Sequence, residues 1–347
     1  MKFYSIGPEN KIWKQALSFF SNSKKDIFYT QQFADLIQNT IHKKDTVICL
    51  IANDGDDYIL CPIIKRRFKF RKLSFVDFTS PYNLGGPIYN KKNDDLKKFF
   101  NEELISYCKK NKVLNLFLRF HPIFRNNEII KNVNSLETGN YAIVNLKKIR
   151  EPLLKNFEYR HQKSIKKAIN SKVEIITSNN EKYLKDFFEI YFNEMKNKKA
   201  EKFYFFKKDF FFNLKRYLKD NYQFFYAKFE GKIISCELVI FSDVFCHSFL
   251  GATKYDYRNI CSNHLLKTKI IEFFKLKGLH YFFLGGSQSE GDGIFKYKSG
   301  FSNEKFLRNK IGKIIFDKKK NLDLMQMFSK EFPDENFNKL QFYENYF

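Results

Sequence analysis

QFFYAKFEGKIISCELVIFSDVFCHSFL, residues Gln223 to Leu250, reads as three consecutive strands. The apolar runs Gln223 to Phe229, Ile233 to Phe241 and Phe245 to Leu250 are rich in aromatic and β-branched side chains, which pack well on a pleated surface. Glu230-Gly231 separates the first two, and glycine tolerates the positive φ that a tight hairpin demands. Working outward toward the N-terminus, a helix spans about Lys207 to Leu218. Before it, Leu184, Phe187, Phe188, Tyr191, Phe192 and Met195 line one stripe of an amphipathic helix. That stripe is core, not a cofactor box. A short strand, Val173 to Ile176, precedes both. In the other direction Leu266, Ile270 and Phe274 mark a helix that passes through Lys277-Gly278 into a strand, Leu279 to Leu284. The order is strand, two helices, three antiparallel strands, helix, strand, within an α/β protein of mixed sheets.

The earlier half carries the same passage from helix to strand. From Asp94 the positions Leu96, Phe99, Phe100, Leu104 and Cys108 follow the helical spacing, and they run into the alternating Leu114, Leu116, Leu118 and Phe120 of a strand. Sliding the chain on itself so that Phe100 meets Leu266 also sets Leu104, Cys108, Phe117 and Leu118 on Ile270, Phe274, Phe283 and Leu284. The same shift sets Leu84-Gly85-Gly86 on Leu250-Gly251-Ala252. Apolar coincidences are expected in a chain with 43 Phe, so the glycine match and the shared element order carry the inference of a duplication. Leu146 to Ser171 lacks glycine and has an imperfect helical face, and is read as a connecting helix. The expected domains are 1–148, 149–316 and a helical tail, 317–347.

A chain of 347 residues has room for two cores, and 44% hydrophobic content excludes disorder. Lys2, Glu9, Lys11 and Lys14 interrupt the first twenty residues, so no secretory signal is read there and a cytoplasmic location is expected. Cys49, Cys61, Cys108, Cys236, Cys246 and Cys261 lie scattered without metal-ligand spacing, so they are read as reduced core residues and no metal is expected. The formal charge of +24 fits a polyanionic partner, such as RNA, anionic lipid or a phosphorylated donor. It fits equally the Lys- and Asn-rich usage of an AT-biased coding sequence.

Several motifs appear in a fixed order: SPYNLGGP (Ser80 to Pro87), RFHP (Arg119 to Pro122), RHQKSIKKA (Arg160 to Ala168), HSFLGAT (His247 to Thr253), SNHLL (Ser262 to Leu266) and LGGSQSEGDGIFKYKSGFS (Leu284 to Ser302). With the element order above, which is that of the GNAT fold, they resemble the FemAB family of peptidoglycan-bridge transferases and their shorter relatives. The resemblance implies tandem GNAT-like domains, here with no room for the long coiled-coil arm of some members. It also implies transfer of an aminoacyl or acyl group to an amine, from aminoacyl-tRNA or acyl-CoA, with no tightly bound cofactor.

Such chemistry needs a neutral amine, a donor for the developing oxyanion, and alignment of the reactants. The stretch after Leu284 is the densest candidate. Gly285 and Gly286 admit close approach of a ligand or backbone, while Glu290 and Asp292 can take a proton from the acceptor ammonium. Lys298 falls on the lysine of the family's Phe-Lys-x-x-Phe-like motif, here Tyr297 to Phe301, and can polarise the donor carbonyl or hold its phosphate; Lys296 is its substitute. His121, beside Arg119 at a strand end, is read as opening into a cleft. Arg119 and Arg160 can grip a phosphate of a nucleotide-linked acceptor. Tyr82, Gly85, Gly86, His247, Asn263 and Tyr297 complete the expected binding set. His247 shares parity with Phe245 and Phe249, which equally suits a satisfied core histidine.

A CoA-using GNAT presents glycine-rich amides ahead of its helix to the pyrophosphate. Ala252 to Ser262 holds no glycine, which favours another donor. The expected function is an amide-forming transfer to an amino sugar or peptide amine, nucleotide- or lipid-linked, in cell-envelope or surface-glycan biosynthesis. The alternatives are an acetyl-CoA-dependent N-acetyltransferase of a nucleotide-linked amino sugar, and a non-catalytic RNA-binding or membrane-surface protein with peripheral association.

Overall fold

The computed structural model describes residues 1–200, 204–286 and 293–332. The chain divides into two compact units, 1–138 with 309–347, and 139–308.

The first unit opens with β1 (Lys2–Ile6), α1 (Lys11–Ser18) and α2 (Gln31–Thr40), followed by an antiparallel meander of β2 (Thr46–Asp54), β3 (Asp57–Phe70) and β4 (Leu73–Thr79). Asn10 and Thr30 cap the two helices by accepting from Ile12 and Phe33 amides, which satisfies otherwise orphaned N–H groups. A two-residue β5 (Ile88–Tyr89) pairs with β3. α3 (Asp94–Lys110), capped by Asn93, then crosses over to β6 (Asn115–Arg119), which runs parallel to β4. Leu96, Phe100, Leu104 and Cys108 of α3 pack on Leu116, Leu118 and Ile63 of the sheet.

The second unit repeats this order. β7 (Asn134–Asn145) leads through short 3-10 turns at Leu146–Lys148 and Leu153–Asn156 into α4 (Tyr159–Asn170). The single connecting helix expected over Leu146 to Ser171 is therefore broken, because Pro152 has no N–H to give and restricts the residue before it. Then follow β8 (Glu174–Thr177), α5 (Leu184–Asn197), α6 (Lys208–Leu218), and an antiparallel meander of β9 (Tyr222–Phe229), β10 (Lys232–Phe241) and β11 (Phe245–Thr253). α7 (Ser262–Leu276) crosses to β12 (Tyr281–Gly286), parallel to β11, and α8 (Gly293–Ser299) follows. Leu266, Ile270 and Phe274 of α7 pack on Phe225, Val239, Cys246 and Phe282, the stripe expected from the sequence.

The sheet of the second unit runs β8-β9-β10-β11-β12-β7, and that of the first runs β1-β2-β3-β4-β6. Its sixth strand is β13 (Leu307–Ile315), antiparallel to β6, after which α9 (Lys318–Glu331) lays Leu324 and Phe328 on Phe68, Phe70 and Phe75. The division thus differs from the expected 148/149 and 316/317 boundaries. From Gly139 onward β7 belongs with β12, and β13 completes the first sheet. Strand partners are chosen across sequence distance, which local patterning does not register.

Among the described residues the longest helix, α3, has 17 residues, too short for a coiled-coil arm. None there is long and apolar enough to cross a membrane, and no group of three metal-ligating side chains forms. All six cysteines are free.

Candidate functional site

Parallel neighbours in an open sheet part at their carboxyl ends, and that is where ligands enter α/β folds. In the second unit β11 and β12 pair only from Phe245–Tyr281 to His247–Phe283. Beyond that register β11 continues to Thr253 and β12 to Gly286 with no ladder between them. α7 begins just after this parting.

The first unit has the same parting, where β4 and β6 pair at Phe78–Leu116 and Thr79–Phe117, but its own chain laces it shut. Ser80 N–H donates to Phe117 O at 3.1 Å, Arg119 N–H donates to Ser80 Oγ at 3.0 Å, and Gly85 bridges Phe120. Gly85 O accepts from Tyr29 Oη and Asn126 Nδ2, each at 2.7 Å. The glycine pair is explained by packing: a Cβ at Gly85 would lie 2.7 Å from Ser80 Oγ, and one at Gly86, where φ is +77°, would lie 2.9 Å from Phe120. Tyr82 is buried too.

His121 corrects an expectation. Its strand end does not open, and the side chain has no solvent exposure. Ile123 N–H donates to Nδ1 at 3.3 Å, so Nε2 carries the proton and meets Asp26 Oδ2 at 3.0 Å. Asp26 Oδ1 also accepts the Ile27 amide at 2.6 Å. Arg119 is half-buried, with its guanidinium 4.9 Å from the Phe117 ring centre. Within the first unit these motif residues close a gap, because the polar groups of the inserted chain find their partners in one another.

In the second unit the motif residues converge differently. A bulge between Phe283 and Gly285 turns the end of β12. Lys298, half-buried on α8, reaches back so that its Nζ donates to Gly286 O at 3.5 Å. Gly285 has φ +107°, and a Cβ there would lie 2.7 Å from the same Nζ. The glycine therefore serves twice, once for its backbone and once for the room it leaves the ammonium. Lys296 is exposed on the same helix. Glu290 and Asp292 lie outside the described residues.

Tyr297 turns to the other side of α8. Its Oη donates to Asn263 O in the first turn of α7 at 3.0 Å, and its carbonyl meets His161 Nε2 at 2.8 Å. His161 and His264 stand edge to face, with ring centres 4.9 Å apart, and Phe301 packs on both. His264 Nδ1 lies 3.0 Å from Asn263 Oδ1. Gly300 is required here, since a Cβ would fall 2.1 Å from His161 Cε1. With Nε2 donating, His161 Nδ1 is a buried acceptor that finds no partner among the described residues.

Burial holds His161 below the usual imidazole range, and burial followed by the His161 charge lowers His264 to about 4. The folded chain thus keeps His264 neutral, while the unfolded chain protonates it below its ordinary 6.5. Stability is complete above pH 6.5 and falls as the pH drops toward 4, by on the order of 3 kcal/mol for this residue. His264→Asn is expected to flatten that part of the stability profile, which chemical denaturation at stepped pH measures; an unchanged slope would contradict it.

A second network lies on the α7 side of the sheet. Glu237 of β10 and Lys267 of α7 form a buried ion pair, Ser248 Oγ donates to Glu237 Oε1 at 2.7 Å, and Lys267 Nζ is 2.9 Å from Ser248 Oγ. Register sets Glu237 opposite Gly251. His247 is buried and stacks on Phe283 at 4.7 Å, a core position. Arg160 is exposed in the first turn of α4.

The sequence reading named Arg160 and Asn263 and passed over their neighbours His161 and His264, which make most of the ring contacts. A signal was present, since His161, Ile165 and Ala168 share the buried helical stripe. Glu237, a lone charge in the apolar run Ile233 to Phe241, likewise signalled a buried partner.

No protein-family model and no curated protein sequence matches the chain. Solved structures match along nearly its whole length. FemX aligns with a TM-score of 0.70 at 12% identity, covering 94% of this chain and 99% of that one. L-PGS from Bacillus licheniformis gives 0.59 at 12% identity, with 93% and 97% covered. The tandem GNAT protein from the clavulanic acid biosynthesis pathway gives 0.54 at 7% identity, with 91% and 98% covered. The repeated order of elements and these matches agree: this chain has the FemAB-like tandem GNAT fold.

Proposed function

We propose that the protein transfers an aminoacyl group from the ester of a charged tRNA to the amine of an amino sugar or peptide. The observation that carries this reading is the Lys298 ammonium beside Gly285 and Gly286, at the carboxyl end of β12 where it parts from β11. A fixed cation there stabilises charge developing on a carbonyl oxygen. The amine nitrogen attacks the carbonyl carbon, a C–N bond forms, the ester C–O bond breaks, and the amine proton passes to the departing hydroxyl. Glu290 and Asp292 are the proposed carriers of that proton. Arg160 and Lys296, both exposed, are proposed to meet phosphates of the acceptor.

Two features favour the ester over a CoA thioester. Glycine is absent from Ala252 to Ser262, where Tyr255–Ile260 forms a 3-10 turn. Within the first turn of α7 the His264 amide is also already bonded, to Cys261 O at 3.0 Å. Cytoplasmic transfer in cell-envelope or surface-glycan assembly is the setting proposed. The test is incubation with charged tRNA or acyl-CoA and amino-sugar or peptide acceptors, with calorimetric titration of CoA in parallel. Transfer from tRNA without saturable CoA binding is expected; saturable CoA binding with acyl transfer would replace this reading by the N-acetyltransferase one.

A further inference from the structure

β3 and β4 run past the rest of the sheet. The last β2 partner on β3 is Lys65, and β4 meets β6 only from Phe78 onward, so Arg66–Phe70 and Leu73–Phe75 form a two-stranded ribbon. Its two faces differ. Register places Arg66 with Asp77, Phe68 with Phe75 and Phe70 with Leu73 on one side. There α9 covers it, with the Phe70 and Phe328 rings 4.2 Å apart and Arg66 bound to Asp77 through two hydrogen bonds of 2.9 and 2.6 Å.

The other face carries Lys65, Arg67 and Lys69, and the turn adds Arg71 and Lys72. Alternate residues of a strand recur about every 6.5 Å, so the cations stand in file. Among the described residues Arg67, Lys69 and Lys72 have no ion pair, and Arg71 has only an exposed contact of 3.4 Å with Glu331. Burial, and after it the Arg67 charge, holds the Lys65 ammonium below the usual lysine range. Like charges thus gather on one face, with Glu331 beside Arg71 the one acidic contact they make among the described residues, an arrangement that a polyanion relieves.

We infer that this ribbon docks the sugar-phosphate backbone of RNA. The ribbon's exposed cations outnumber its single exposed large apolar side chain, Leu73 at the tip, which suits phosphates rather than a bilayer, whose binding would call for several apolar residues on the same face. The inference rests on the reading that the donor is a charged tRNA, and the experiment separates the two.

The probe is unacylated bulk tRNA, titrated between 50 and 200 mM salt by fluorescence anisotropy. Four phosphate contacts give a slope of log K against log salt near −3 to −4. R67Q/K69Q/R71Q/K72Q is expected to weaken binding at least ~10-fold and to remove about that much slope. K207Q/K208Q/K215Q/R216Q, an equal loss of charge on exposed positions at α6, is expected to change affinity by no more than about twofold. Equal weakening by both variants, or none by the ribbon variant, overturns the proposal. So does a ribbon variant that keeps RNA affinity and loses binding to phosphatidylglycerol/phosphatidylcholine vesicles. Wild-type protein that binds tRNA through the ribbon yet transfers nothing supports the surface and removes the proposed donor. Transfer from charged tRNA unaltered in the ribbon variant leaves the donor and removes the surface.

Discussion

Lys298→Met is expected to lower kcat/KM for transfer by ~10²–10³-fold, with little change in thermal stability. Methionine keeps the unbranched apolar stem and deletes the ammonium, so the substitution isolates the charge. The ammonium's hydrogen bond to Gly286 O is long, at 3.5 Å, so losing that bond costs α8 little. Against a carbonyl oxygen gaining negative charge the same ammonium acts where water is partly excluded, and loss of one such donor costs about 3–4 kcal/mol of transition-state stabilisation. Lys298→Arg retains charge but needs more room than the space above Gly285 allows, so it should recover only part of the rate. Single-turnover transfer with a saturating donor separates the chemical step from binding. A loss of less than threefold would remove Lys298 from the reaction.

Glu237→Ala is expected to destabilise the second unit by about 3–5 kcal/mol, because it strands the Lys267 ammonium in the core. Both residues are nearly inaccessible, at 5% and 4% exposure, and with the carboxylate gone the ammonium retains the Ser248 hydroxyl and the face of Phe282, 5.2 Å away. The double variant Glu237→Leu with Lys267→Met should recover most of the loss, since a buried pair replaced by apolar groups of similar size is often neutral or better. Hydrogen exchange along β10 and β11 reads the effect locally, and the double-mutant cycle isolates the coupling. If Glu237→Ala alone costs less than about 1 kcal/mol, the pair is hydrated rather than buried.

Amphipathic helices α3, α5 and α7 were legible because their signal is local: apolar side chains three and four apart must share a face. The meander from Tyr222 to Thr253 was legible for the same reason. Leu146 to Ser171 was misread where the apolar spacing was followed through Glu151-Pro152, although proline removes a backbone donor whatever the pattern says. Of the site, Gly285, Gly286 and Lys298 were named together, and the fold brings them together. His121, Gly85 and Gly86 were named with them, yet identical residue types in the first unit serve closure.

By itself, the order of residues determined the tandem α/β character, the repeat of helix-to-strand order in both halves, and the lysine and paired glycines of one motif. Only the tertiary structure decided that the first parting of strands is laced shut while the second carries Lys298, and that β13 completes the first sheet. Patterning records which face of an element avoids water, a property of neighbours along the chain. Which strand lies beside which, and whether a gap between two of them is filled, depends on partners nearly a hundred residues away, as Asp26 with His121 and Tyr29 with Asn126 depend on strands that come later.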